Sequence, residues 1–174
     1  MPLNLQQKQA VVAEVADVAA TAHSVIAAEY QGLSVAEMTQ LRVAAREANV
    51  YLKVVKNTLA KRAFEGTDYS CMGDSLTGQL VFAFSLEEPG SAARVIKDFS
   101  SKNDKLVVKL IGFGGELLDP SEIKRLASLP TYEQALSMLM AVMKAPVEKL
   151  TRTINEVPGK LVRTVAAVRD SKQA

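Results

Sequence analysis

Apolar residues along this chain follow two different rhythms. Through residues 1 to 130 short β-rich runs alternate with stretches of helical spacing, whereas beyond Pro130 a single helical rhythm continues almost to the C-terminus. The alternation begins with Leu5, Val12, Val15 and Val18, interleaved with alanines, which predicts a helix from Leu5 to Thr21. Val25–Ala28 reads as a short buried strand, and Gln31-Gly32 as a turn. Ser34 with Glu37 three residues on forms a capping box for a second helix, with Val35, Met38, Leu41 and Ala45 expected inward and Arg42 and Arg46 outward. Tyr51–Val55 is a second strand, leading into a helix for which Asn57 is the expected N-cap.

Further along, a turn-rich stretch from Phe64 to Gly78 has room for one helical turn, and Gln79–Phe84 is a third strand. A helix through Ala92, Ala93, Val95, Ile96 and Phe99 follows Glu87-Glu88-Pro89-Gly90. Lys105–Phe113 makes a fourth strand, Gly114-Gly115 a turn, and Glu116–Leu118 a segment able to pair back. Asp119-Pro120-Ser121 caps a short helix that ends by Pro130. Strands alternating with helices predict an α/β domain, a mixed sheet packed with helices, over residues 1–130.

Residues 131–174 read as a long, jointed C-terminal helix. Lys149-Leu150-Thr151-Arg152-Thr153 recurs as Lys160-Leu161-Val162-Arg163-Thr164, 11 residues later. Eleven residues at about 100° each return nearly to the starting direction, so equivalent side chains share one face. That face carries Tyr132, Leu136, Leu139, Met143, Pro146, Leu150, Ile154, Val157, Leu161, Val165 and Val168. A stripe this long asks for a partner. The same periodicity also suits a helix folded back as core, or two copies paired in a right-handed supercoil. Pro146 and Pro158-Gly159 fall at the repeat junctions and favour a jointed rod carrying similar sockets.

Charge sharpens the division. Residues 1–130 hold 14 Lys+Arg against 15 Asp+Glu, net −1, while residues 131–174 hold 7 against 4, net +3, so the rod suits an acidic partner. Within the first part, residues 42–62 carry Arg42, Arg46, Lys53, Lys56, Lys61 and Arg62 against Glu47 alone, net +5. This window is the candidate polyanion site, centred on a helix start where backbone donors, Lys56, Lys61 and Arg62 together suit a phosphate.

The chemistry of catalysis finds little support. His23 is the only histidine, and the single cysteine, Cys71, excludes an intramolecular disulfide and is expected to be buried as a small apolar residue. Gly112-Phe113-Gly114-Gly115 lacks the Gly-Lys-Ser/Thr of a phosphate loop and reads as a hairpin turn. No catalytic residue, metal site or cofactor is expected. A nucleotide-binding enzyme with an oligomerising C-terminal helix is the competing class. The polar N-terminus and the absence of a long apolar run predict a cytoplasmic chain with no membrane partner.

Two stretches carry a family resemblance: Glu29-Tyr30-Gln31-Gly32-Leu33-Ser34-Val35-Ala36-Glu37-Met38-Thr39-Gln40-Leu41-Arg42, and Val54-Val55-Lys56-Asn57-Thr58-Leu59. Together with Leu129-Pro130-Thr131-Tyr132-Glu133 and the repeated rod, they resemble the bacterial ribosomal stalk-base family L-ten. The resemblance implies a structural constituent of the large subunit whose first domain binds large-subunit rRNA beside ribosomal protein L-eleven. It implies that the rRNA-facing residues are Arg42, Lys56, Asn57, Thr58, Lys61 and Arg62, with Lys8 and Arg46 as weaker correspondences. The rod would carry dimers of the acidic stalk protein L-seven/L-twelve, which recruit translational GTPases. On the repeat, three dimers are expected, with two as the fallback, on Leu139 and Met143, on Leu150, Ile154 and Val157, and on Leu161, Val165 and Val168.

Overall fold

The computed structural model describes residues 4–73, 75–103 and 105–173. Residues 1–3 of the polar N-terminus, Asp74 of the turn-rich stretch, Asp104 before the fourth strand and Ala174 at the end of the rod lie outside the described residues. The chain divides into two units, with the boundary between Leu129 and Pro130.

In the first unit the elements follow in the order α1 (Leu5–Thr21), β1 (Ser24–Glu29), α2 (Val35–Glu47), β2 (Val50–Val54), α3 (Asn57–Phe64), a 3₁₀ turn (Asp68–Met72), β3 (Leu80–Ser85), α4 (Ser91–Lys102), β4 (Val107–Phe113), β5 (Glu116–Leu118), a second 3₁₀ turn (Pro120–Glu122) and α5 (Ile123–Ala127). The strands form one sheet in the order β2-β3-β1-β4-β5. Every pairing is antiparallel, so the sheet is not mixed as the alternation of strands and helices suggested. The reason lies in what each crossover spans. β1 and β2, joined by α2, run the same way but have β3 between them, and β3 and β4, joined by α4, have β1 between them. These are two interlocked split β-α-β units, in which no parallel strands become neighbours.

Both faces of the sheet are covered. On one, Val25, Ala27, Phe82 and Phe84 pack with Val15 of α1 and with Leu59, Ala60, Ala63 and Phe64 of α3. Phe64 meets Phe82 edge-on, with ring centroids 5.8 Å apart. On the other, Ile26, Ala28, Val81, Ala83 and Ile111 pack with Leu41 and Ala45 of α2, Ala92, Ala93, Ile96 and Phe99 of α4, and Leu126 of α5. The period of two along β1 and β3 thus divides one apolar run between two cores.

Local sequence accounts for several element ends. The Ser34–Glu37 capping box forms, with the Ser34 hydroxyl accepting from the Glu37 N–H at 3.2 Å. Val35 is 86% exposed rather than inward, because it is the first helical residue and projects beyond the edge of the core. The Gly112–Gly115 stretch is a hairpin turn as expected, with Gly114 and Gly115 at positive φ. A Cβ on Gly112 would come within 2.6 Å of the Met72 sulfur, so the 3₁₀ turn can lie against β4 only over a glycine. Cys71, expected inside, is exposed because the same turn directs Tyr69 and Met72 inward instead.

The second unit is one helix, α6 (Tyr132–Gln173), of 42 residues. Thr131 caps it, its hydroxyl accepting from the Gln134 N–H while the Gln134 side chain accepts from the Thr131 N–H. The prolines expected as joints do not end the helix, which continues through Pro146 and Pro158. Each proline removes one helical hydrogen bond, and good helix formers such as Lys144, Ala145, Glu148 and Lys149 on either side of Pro146 hold the backbone in register.

Candidate nucleic-acid interface and rod surface

Because β1 and β2 point the same way on either side of β3, Tyr30 after β1, Lys56 after β2 and Gln79 before β3 all emerge at one end of the sheet. They line an open hollow of about 360 Å³ together with Val54, Val55, Asn57, Thr58, Gly78 and Leu80. Asn57 does not cap α3. Lys56 occupies the N-cap position, and Asn57, the first helical residue, turns its side-chain amide to the carbonyl oxygens of Gly78 at 2.9 Å and Leu76 at 3.3 Å. Competition from these two carbonyls, which need a donor in the loop before β3, draws the amide away from its own helix. Its role is to position the loop, while Lys56 and Thr58 border the hollow beside it.

The other expected residues distribute around this point. Arg42 and Arg46 lie four apart on the exposed side of α2 and line a groove against Tyr51, Lys53 and Val54 of β2, one of the two edge strands of the sheet. Val54 borders both this groove and the hollow, so the two basic places are continuous along the end of β2. Lys8 and Arg62 flank a separate groove of about 320 Å³ between α1 and α3, floored by Val12, Ala13 and Leu59. Lys61 is exposed, and its aliphatic stem lies 3.5 Å from where a Cβ on Gly73 would be.

Lys53 belongs to a different arrangement. Its ammonium and the Tyr51 hydroxyl both bind the Glu14 carboxylate, tying α1 to β2. These two bonds hold the Glu14 pKa below the ordinary carboxylate value. Burial and the hydrogen bond to Glu14 raise that of Tyr51. Burial alone would lower Lys53, and the bonds to Glu14 and Tyr51 override it, leaving the pKa raised. Among the described residues Lys8, Arg42, Arg46, Lys56 and Arg62 have no acidic partner in the protein, in contrast to Lys53.

Tyr30, Gln79 and Gly78 line the hollow as well, although the sequence pattern does not mark them as site residues. The available signal is Tyr30-Gln31-Gly32 and Gly78-Gln79, two turn segments at strand ends. Their adjacency follows from the strand order.

On the rod the repeat becomes a surface. Leu139, Met143, Leu150, Ile154, Val157, Leu161, Val165 and Val168 are each between 54% and 71% exposed. Met138, Met140 and Val142 are exposed as well, so at about 100° per residue the apolar arc near Leu139 widens to roughly 200°. Around Leu150 and Leu161 the exposed apolar surface is narrower, extended by Val147 and Val162 alone, and charged and polar side chains take up more of the remainder. Glu148–Arg152 and Glu156–Lys160 form pairs at i,i+4, at 3.6 and 4.0 Å.

Residues 3–101 match the family described as Ribosomal protein L10. The chain belongs to this family. Residues 129–157 further match the Ribosomal protein uL10 C-terminal region. Among its relatives, large ribosomal subunit protein uL10 of Thioalkalivibrio sulfidiphilus is 65% identical, over 100% of this chain and 99% of the relative. The proteins of the same name from Psychrobacter and Methylococcus capsulatus are 62% and 64% identical, with the same coverage. The L10-family chain is therefore a structural constituent of the large ribosomal subunit rather than an enzyme. It is ribosome-associated, and none of its described helices is long and apolar enough to cross a membrane.

Proposed function

We propose that this chain forms the base of the large-subunit stalk, anchoring to rRNA through its first unit and carrying dimers of the acidic protein L-seven/L-twelve on its rod. The observation that carries the reading is the rod. A basic helix roughly 60 Å long at about 1.5 Å per residue presents an apolar stripe with an 11-residue repeat to solvent. A stripe of this length needs several identical partners in a row, and net +3 over residues 131–174 favours acidic ones.

Three registers follow: Leu139 with Met143; Leu150 with Ile154 and Val157; Leu161 with Val165 and Val168. The first lacks the Lys-Leu-x-Arg-Thr motif, but Met138, Met140 and Val142 give it more apolar surface, which supports three dimers over two. The first unit holds the rRNA through Lys56, Thr58 and Arg62, with Arg42, Arg46 and Lys8 alongside, Asn57 positioning the loop and Lys61 adding charge. Protein L-eleven is the neighbour on the rRNA, and the bound dimers recruit GTP-bound translation factors. In this reading the protein works in the cytoplasm.

Native mass spectrometry of the chain co-expressed with the stalk protein tests the reading. One rod with six small chains is expected. One with four removes the first register, and a rod without small chains overturns the proposal.

A further inference from the structure

The hollow at the sheet end contains more than charge. Tyr30 packs partly against the core beneath α2 and α4 and also lines the hollow, together with Lys56, Thr58 and Gln79. Among the described residues, the Tyr30 hydroxyl, the Gln79 amide, the Thr58 hydroxyl and the Lys56 ammonium have no hydrogen-bond or ion-pair partner. The opposite wall is fixed. The Asn57 amide holds the carbonyls of Leu76 and Gly78, and Gly78, at φ +88°, has a backbone conformation that residues with a side chain rarely adopt.

We infer that this hollow takes a single unstacked nucleotide of the bound rRNA, its base stacked on Tyr30 and its edge read by Gln79, with Lys56 and Thr58 on its sugar-phosphate. The inference rests on the rRNA-binding reading and gives it a ligand class. A volume of about 360 Å³ lies at the small end of the range for ligand sites of roughly 300 to 1,000 Å³. A paired helix would offer the hollow phosphates, 2′-hydroxyls and the shallow minor-groove edges of its bases, but no free base face to stack on a phenol ring. A splayed base uses both the ring and the amide, through stacking on the aromatic face and hydrogen bonds along its edge. The fixed wall makes the site selective for one nucleotide rather than a tolerant groove.

The test uses the full chain and the large-subunit rRNA fragment it binds, with abasic substitutions placed one at a time at the unpaired positions. Tyr30→Leu should weaken binding about ten-fold, in the range of one base stacked on one ring, with an unchanged salt slope. Tyr30→Phe, which keeps the ring, should bind nearly as wild type. Gln79→Ala, at an exposed position that leaves the core intact, should weaken binding a few-fold. One abasic position should weaken the wild type as much as Tyr30→Leu does and have no further effect in that variant. Losses that add independently at every abasic position, or wild-type affinity in both Tyr30→Leu and Gln79→Ala, overturn the inference. If Lys56→Glu still lowers affinity and flattens the salt dependence in that case, the rRNA reading survives with a phosphate contact alone. A chain that binds no large-subunit rRNA overturns both.

Discussion

Arg94 donates from Nη2 to the Leu129 carbonyl oxygen at 2.6 Å, bonding the first turn of α4 to the last residue of the first unit. The same guanidinium reaches the Ala127 carbonyl at 3.4 Å and the Glu88 carboxylate at 3.0 Å. One side chain therefore satisfies carbonyls left over at the end of α5. A chain ended after Pro130 retains all of these groups and should fold and bind rRNA, yet fail to support factor-stimulated GTP hydrolysis. Arg94→Ala in that shortened chain should cost ~1–3 kcal/mol in urea unfolding. A shortened chain that does not fold would make the rod part of the core.

The Glu14 cluster predicts a pH dependence. Glu14 has a lowered folded pKa, so its bonds to Lys53 and Tyr51 contribute stability that is fully present above the unfolded value of about 4.3 and lost as pH falls through the folded pKa. Wild type should therefore exceed Glu14→Gln in stability at neutral pH, and the two should converge in acid below the folded pKa. Tyr51, whose pKa is raised, contributes in the opposite direction, losing stability as pH climbs through its folded value above about 10. Parallel stability profiles of wild type and Glu14→Gln from acid to neutral pH would separate Glu14 from the fold's acid sensitivity.

The elements of this fold are legible in the sequence because each depends on its neighbours along the chain. The Ser34–Glu37 box, the Gly114-Gly115 turn and the short turn before β3 all stand where residue chemistry puts them. Their assembly is less so. Whether β1 and β2 become neighbours depends on whether another strand is inserted between them, and nothing within α2 records that β3 will be. The same distant insertion brings Gln79 and Tyr30 beside Lys56, and it supplies the Gly78 carbonyl that takes Asn57 away from a capping role. On the rod the periodicity is plain, but proline reads as an interruption where the helix in fact runs on. Each proline costs a hydrogen bond and a clash with the carbonyl four residues back, about 3 kcal/mol, which the helix-forming residues on both sides offset.

Charge reversal tests the basic face. Lys56→Glu with Arg62→Glu replaces two cations that have no acidic partner among the described residues, so folding should be nearly unaffected while two phosphates of the rRNA go unneutralised. Affinity for a large-subunit rRNA fragment should fall at least ten-fold, and the slope of log affinity against log salt should flatten by about 0.7–0.9 for each phosphate left without its cation. Lys61→Glu alone should have a smaller effect on the slope, since Lys61 already has an interaction within the protein. An unchanged slope in a folded double variant would remove these residues from the interface.

The rod allows its sockets to be separated one at a time. Leu150, Ile154 and Val157 are each more than 60% exposed, and burying three such side chains at ~1.5–3 kcal/mol apiece is enough for micromolar or tighter binding of one dimer. Leu150→Asp places a carboxylate in the middle of that register, facing an acidic partner, and leaves Leu139 and Leu161 eleven residues away on either side. Since these distances exceed about 15 Å along the helix, the neighbouring sockets share no side chain with it. Native mass spectrometry should therefore show loss of a single dimer, from six small chains to four. Leu139→Asp should be partly tolerated, because Met138, Met140 and Val142 leave the first register a wider apolar surface than the other two. Loss of every dimer from Leu150→Asp would mean that the partners hold one another along the rod and that the repeat does not encode independent sites.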